Sequence, residues 1–172
     1  IGCGERWLTR EMESLGWTAI GLDATPSLIE EAKKRSSQTF EVFTFEDIIH
    51  GKSIPSAPFD GAVFNFCLYQ KNELKELLSN TLQQLSKDGI LLIQTLHPYF
   101  LIQSDLPYKS QWLSDSWKGL PGNFTNGHSW YARTMEDWIY ELNQIENSNF
   151  SIKEVLNDQE KPISLILKIN RV

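Results

Sequence analysis

Two cysteines and three histidines are all that 172 residues contain. Cys3 and Cys67 are too few for a disulfide framework and lack metal-ligand spacing. The expectation is therefore two free thiols, no metal, and a reducing compartment, the cytoplasm. Basic residues are scarce too: 16 Lys and Arg face 22 Asp and Glu, a net charge of −6, with no basic block to offset it. That disfavours a phosphate backbone, so no nucleic acid is expected as a partner. No apolar run approaches the roughly 20 residues of a membrane span, and no secretory signal is recognisable, so no membrane is expected either. Without such a signal, the acceptor-like Asn123-Phe124-Thr125 is read as chance.

What remains is an ordinary apolar and charged composition and enough length for one domain with a sizeable core. The chain opens on Ile1-Gly2-Cys3-Gly4. Leu8, Met12 and Leu15 then recur at helical intervals, Gly16 stands where a left-handed cap is wanted, and Thr18-Ala19-Ile20-Gly21-Leu22 leads to Asp23. A glycine turn, a helix and a strand ending in a carboxylate is the order that binds a nucleoside-bearing cofactor. Bare backbone approaches the ligand, and the carboxylate accepts from both ribose hydroxyls. A dinucleotide fingerprint needs Gly or Ala where this chain has Trp7, and no phosphate-loop lysine pattern is present.

On these residues the chain resembles the class I S-adenosylmethionine-dependent methyltransferases, whose first motif reads acidic-x-Gly-x-Gly-x-Gly. Gly2 and Gly4 match two of the glycines, and Arg6 stands in place of the third, where it either pairs with the cofactor's carboxylate or crowds it. The motif's acidic residue and a buried strand would precede Ile1, so upstream residues are expected in the natural protein. The resemblance implies cofactor contacts from Gly2, Cys3, Gly4, Arg6, Asp23 and Ala24. It adds a carboxylate for the adenine amino group after the third strand, Asp47 in preference to Glu46. The alternative for Asp47 is a cap ahead of Ile48 and Ile49.

The rest of the chain alternates. Thr25-Pro26 opens a helix that ends in Lys33, Lys34 and Arg35, and Phe40 to Phe43 reads as a strand. Phe59 to Asn65 is a nearly continuous apolar strand, followed by a loop through Asn65, Phe66 and Leu68, expected at the cofactor, and Tyr69. Phe66 and Cys67 replace the prolines of the Asn-Pro-Pro-aromatic motif that marks amide and nucleobase methylation. Leu74, Leu77, Leu78, Leu82 and Leu85 form a helical stripe, Lys87-Asp88-Gly89 reads as a turn, and Ile90 to Leu96 as a buried strand. Helix Met135 to Ile145 and strands Ile152 to Leu156 and Ile163 to Ile169 complete a doubly wound, Rossmann-like, three-layer α/β sandwich with a mostly parallel sheet. The resemblance implies that the last two strands form an antiparallel hairpin.

Residues 97–133 show no regular pattern and are crowded with aromatics. The segment is read as an acceptor lid within a single domain, with Tyr69, His97, Tyr99, Trp112, Trp117, Trp130 and Tyr131 at the acceptor; the alternative is a satellite cluster shielding the sheet edge. His97 and His128 are candidate general bases, although for His97 the structural alternative, a ring fixed by a hydrogen bond ahead of Pro98, is the simpler account. Methyl transfer from S-adenosylmethionine to a small acceptor, leaving S-adenosylhomocysteine, is the expected function. An inactive cofactor-binding partner or sensor domain is the alternative, and a nicotinamide oxidoreductase, opposed by Trp7, a more distant one.

Overall fold

The turn, helix and strand expected at the start of the chain form in that order in the computed structural model, which describes residues 1–4, 7–114 and 129–172. Helix α1 (Trp7–Ser14) closes on Gly16 at φ +84°. Gly16 N donates to Glu13 O at 2.9 Å and Trp17 N to Met12 O at 3.0 Å, the paired bonds of a Schellman cap. Strand β1 (Ile20–Asp23) runs parallel to β2 (Thr39–Val42), with α2 (Pro26–Arg35) as the crossover. Thr25 is the extended residue before Pro26, as expected, but its hydroxyl caps nothing. A short helix, α3 (Phe45–Ile49), follows β2.

A second sheet has the order β3-β4-β8-β7. Strand β3 (Phe59–Asn65) is parallel to β4 (Leu85–Leu96), and helix α4 (Leu74–Gln83) connects them. Strand β8 (Pro162–Arg171) lies antiparallel to both β4 and β7 (Ser148–Leu156), which makes the terminal hairpin. The α4 stripe, Leu74, Leu77, Leu78 and Leu82, is buried against Leu91 and Ile93 of β4 and Leu165, Leu167 and Ile169 of β8. Trp138 and Leu142 of α6 (Met135–Asn143) join this core. A smaller cluster, in which Ile29 and Ala32 of α2 cover Phe40 and Cys3, forms apart from it. Helix α2 thus covers one side of β1 and β2, and α4 and α6 pack on one face of the second sheet.

Two local expectations fail. Lys87-Asp88-Gly89 is no turn between elements; it lies inside β4, where Phe59 pairs with Leu85 and Gly61 with Ile90, so the intervening residues bulge from the ladder. Arg171 Nη2 holds this bulge by donating to Leu85 O and Ser86 O, each at 2.8 Å. The segment expected to lack regular structure contains helix α5 (Phe100–Gln103) and strands β5 (Gln111–Leu113) and β6 (Trp130–Ala132), which pair as an antiparallel hairpin. Elements of three or four residues are too short to display a period.

The two sheets meet through the first residues. Ile1 N donates to Val63 O of β3 at 2.7 Å, and Cys3 N donates to Leu22 O of β1 at 2.9 Å. The glycine turn is thus seated between the carboxyl ends of two parallel strands, the place where open α/β sheets bind ligands.

Candidate cofactor and acceptor site

Left-handed backbone shapes the turn: Gly2 has φ +66° and Gly4 φ +50°, a region that side chains enter only at a cost. Among the described residues, a Cβ added to Gly4 would meet nothing within 4 Å, so none of them fills the space over that residue. One added to Gly2 would lie 2.7 Å from Cys67 Cβ, because the loop after β3 presses on the turn from that side.

Asp23 ties the turn to its neighbour. Its Oδ2 accepts from Gly4 N and its Oδ1 from Thr25 N, both at 2.9 Å. Each carboxylate oxygen has a second lone pair, so Asp23 is oriented by backbone and retains capacity for two further donors. Asp23 and residues 2–4 come together as the sequence implied, with Ala24 exposed beside them. Arg6 lies outside the described residues.

Asp47 is different. Its Oδ2 accepts from Thr44 N and its own N–H donates to Thr44 Oγ1, both at 3.0 Å, in a reciprocal capping box at the start of α3. Lys52 Nζ takes Oδ1 at 3.2 Å. The bond from the Thr44 amide, followed by Lys52, holds the Asp47 pKa below its ordinary value. Asp47 thus makes the cap that the alternative described and, like Asp23, keeps a lone pair on each oxygen; the Glu46 carboxylate is exposed and has no partner among the described residues.

After β3, Asn65 is half-buried and Phe66 takes φ +49° with its amide on Gln94 O at 2.8 Å. That twist turns the Phe66 ring outward, 37% exposed, and Leu68 inward, 4% exposed, where it packs in the main core. The Leu68 side chain is therefore a packing group, and Phe66 is the apolar surface at the turn. Burial pushes both thiols up, Cys3 and Cys67 each to about 11. A shift of two units from 9.0 predicts alkylation by iodoacetamide at pH 7.5 about 100-fold slower than for a free cysteine peptide. Rates should rise tenfold per pH unit, as mass spectrometry of the two peptides would show.

The aromatic segment docks on this loop. Tyr131 N of β6 donates to Tyr69 O at 2.8 Å. Trp130 packs edge-on to Tyr69 at 6.1 Å and against Phe100 at 5.2 Å, while Trp112 of β5 meets Tyr131 at 5.5 Å. Tyr69, Trp130 and Tyr131 are thus brought together. Trp112 is on the outer strand, 55% exposed, and Tyr99 is half-buried in the turn after His97. Trp117 and His128 lie outside the described residues.

His97 is 8% exposed, and both ring nitrogens are engaged. Nδ1 accepts from Tyr99 N at 3.0 Å, which requires it to be unprotonated, so the neutral ring carries its proton on Nε2, 2.9 Å from Glu154 Oε1. No lone pair is left to take a proton from an acceptor, and the ring fixes the turn before Pro98 instead of serving as base.

Two residues of chemical interest were not singled out for a role by pattern. Arg133 is 3% exposed, with Nη2 on Lys71 O at 2.8 Å and its guanidinium 5.2 Å from the rings of both Tyr131 and Trp138. Gln70 lies in the loop after β3. The available signal was one arginine flanked by the aromatics Trp130, Tyr131 and Trp138. Among the described residues, no group of three His, Cys, Asp or Glu side chains is placed to hold a metal, and no helix is long and apolar enough to cross a membrane.

Residues 1–147, which hold the turn, Asp23, the loop after β3 and all of α6, match the profile described as a methyltransferase domain. The chain belongs to this methyltransferase domain family. A curated relative, the malonyl-[acyl-carrier protein] O-methyltransferase of Bacillus anthracis, is 31% identical over 97 residues, which cover 55% of this chain and 35% of that protein. The chain thus spans about a third of the length of that relative. In fold, the methyltransferase domain resembles an S-adenosylmethionine-dependent methyltransferase from Mesorhizobium loti, with a TM-score of 0.71 at 18% identity, covering 99% of this chain and 88% of that one. A plantazolicin methyltransferase, in complex with a triazolic desmethylPZN analog and SAH, gives a TM-score of 0.69 at 14% identity and covers 99% and 74%.

Proposed function

We propose that this methyltransferase domain transfers the methyl group of S-adenosylmethionine to a small-molecule acceptor. The observation that carries the reading is Asp23, whose two oxygens are aimed by the amides of Gly4 and Thr25 beside open space over a left-handed glycine. A ligand with a vicinal diol fits that donor demand, and bare backbone at residues 2–4 fits its close approach. The S-adenosylmethionine-dependent methyltransferase of Mesorhizobium loti and the SAH-bound plantazolicin methyltransferase support the same cofactor.

In this reading Gly2, Cys3 and Gly4 present backbone, Asp23 takes the ribose hydroxyls, Ala24 and Phe66 give apolar contact, Asn65 lies at the methyl side and Asp47, in preference to Glu46, takes the adenine amino group through the lone pairs its cap leaves free. The cofactor supplies an activated methyl carbon, and the chain's own work is to align the acceptor and keep water out. Tyr69, Trp130 and Tyr131 form the wall that does so. With His97 committed to Tyr99 and Glu154, the site suits an acceptor whose nucleophilic lone pair is available without a histidine base.

Isothermal titration of the protein with S-adenosylhomocysteine is expected to give micromolar binding, and labelled S-adenosylmethionine to pass its methyl group to a component of a metabolite pool. Absence of binding would refute the cofactor; binding without turnover would favour a sensor.

A further inference from the structure

The loop after β3 is bracketed by two residues other than glycine in left-handed backbone, Phe66 at φ +49° and Glu73, which precedes α4, at φ +60°. Such strain persists only where neighbouring structure holds it. At the Phe66 end the hold comes from β4, whose Gln94 O accepts from the Phe66 amide at 2.8 Å. Further along it comes from β6 and the residue after it. Tyr131 N donates to Tyr69 O and Arg133 Nη2 to Lys71 O, both at 2.8 Å, so alternate residues of one segment grip alternate residues of the other. A single bond would leave a pivot at Tyr69; the second fixes the direction of the loop.

Arginine is a costly residue for that second grip. Arg133 is 3% exposed, and its Nε and Nη1 have no hydrogen-bond partner among the described residues. Asp137 and Glu141 offset its charge, but Asp137 Oδ2 stays 3.8 Å from Nε, too long for a hydrogen bond. The guanidinium lies 5.2 Å from the rings of Tyr131 and Trp138, whereas the Trp130 ring, on the other face of β6, meets Tyr69 and Phe100. Arg133 therefore stands behind the wall and can act on an acceptor only through the residues that it places. Resting on the function proposed above, we infer that Arg133 is a positioning residue for methyl transfer, whose bond to the Lys71 carbonyl sets Tyr69 against Trp130 and so the acceptor against the cofactor.

A role confined to packing α6 or neutralising Asp137 and Glu141 needs a cation on a long stem and no bond to Lys71 O. Lysine supplies both and ends one atom short of Nη2, so Arg133→Lys separates the two roles. The whole chain is first titrated with S-adenosylhomocysteine, and amide hydrogen exchange is then followed by NMR on the saturated protein. Arg133→Lys should speed exchange of the Tyr131 amide at least tenfold. The Phe66 amide on Gln94 O and the Trp138 amide on Thr134 O should stay within threefold of the parent. With tritiated S-adenosylmethionine at saturation and one fixed small-molecule extract diluted in series, the plateau rate of methyl transfer should fall at least tenfold, while S-adenosylhomocysteine affinity stays within twofold. Arg133→Met, which keeps the bulk and drops the charge, should do the same, and either folded variant suffices. Unchanged protection at Tyr131, a general loss that includes Phe66 and Trp138, an unchanged plateau, the unfolding of both variants, or a parent protein that binds S-adenosylhomocysteine and transfers no methyl group would overturn the inference and leave the cofactor reading intact. Failure of the first titration would remove both.

Discussion

Asp23→Asn is expected to weaken S-adenosylhomocysteine binding about 100-fold, or about 2.7 kcal/mol, the order of two hydrogen bonds to a charged acceptor. The geometry makes this replacement harsher than its size suggests. Both Asp23 oxygens already accept from backbone, Oδ2 from Gly4 N and Oδ1 from Thr25 N. An asparagine has one oxygen and one NH2 group, so either orientation sets a donor against a donor, at Gly4 or at Thr25. One loop is released, and the diol loses a charged acceptor at the same time. Calorimetry gives the affinity and a melting curve gives the loop's share, expected at about 1–2 kcal/mol for one unsatisfied amide. An Asp23→Asn protein that binds within threefold of the parent would place the ribose elsewhere.

Much of this site could be read before any coordinates, for a physical reason. Gly2, Gly4 and Asp23 are constrained by backbone geometry and strand ends, and such constraints leave fixed spacings in sequence. The long elements were legible on the same ground: the leucines of α4 recur over ten residues, enough to declare a helix, and β8 lies where an apolar run ends the chain. Asp47 shows the limit. Thr44-x-x-Asp47 has capping-box spacing, and the same carboxylate stands where an adenine contact is expected; the Thr44 and Lys52 bonds display the first role and leave lone pairs for the second. His97 is similar, because its fate was decided by Glu154, 57 residues away and on another strand. The seat of Arg133 on the Lys71 carbonyl depends on β6 docking against the loop after β3, a contact between segments 62 residues apart that no local pattern encodes.

Gly2→Ala is expected to destabilise the protein by about 3 kcal/mol in urea unfolding, summing ~1–2 kcal/mol for a left-handed alanine and ~1–3 for overpacking. The second part has a named source, since the new Cβ would sit 2.7 Å from Cys67 Cβ and 2.9 Å from its Sγ. Truncating Cys67 therefore offers a separation. In a Gly2→Ala, Cys67→Gly double variant the overlap vanishes while the backbone strain stays, so the cycle should show a favourable coupling of about 1–2 kcal/mol. Gly4→Ala supplies the contrast. Its φ of +50° carries the same backbone penalty, but no described residue lies within 4 Å of the added carbon. Stability should then fall by only about 1 kcal/mol, whereas the methyl group intrudes on the space assigned to the cofactor and affinity for S-adenosylhomocysteine should drop at least tenfold. A Gly4→Ala protein that loses stability like Gly2→Ala yet keeps its affinity would mean that the turn faces the core at both glycines, and the open side of the turn could no longer be the ligand's.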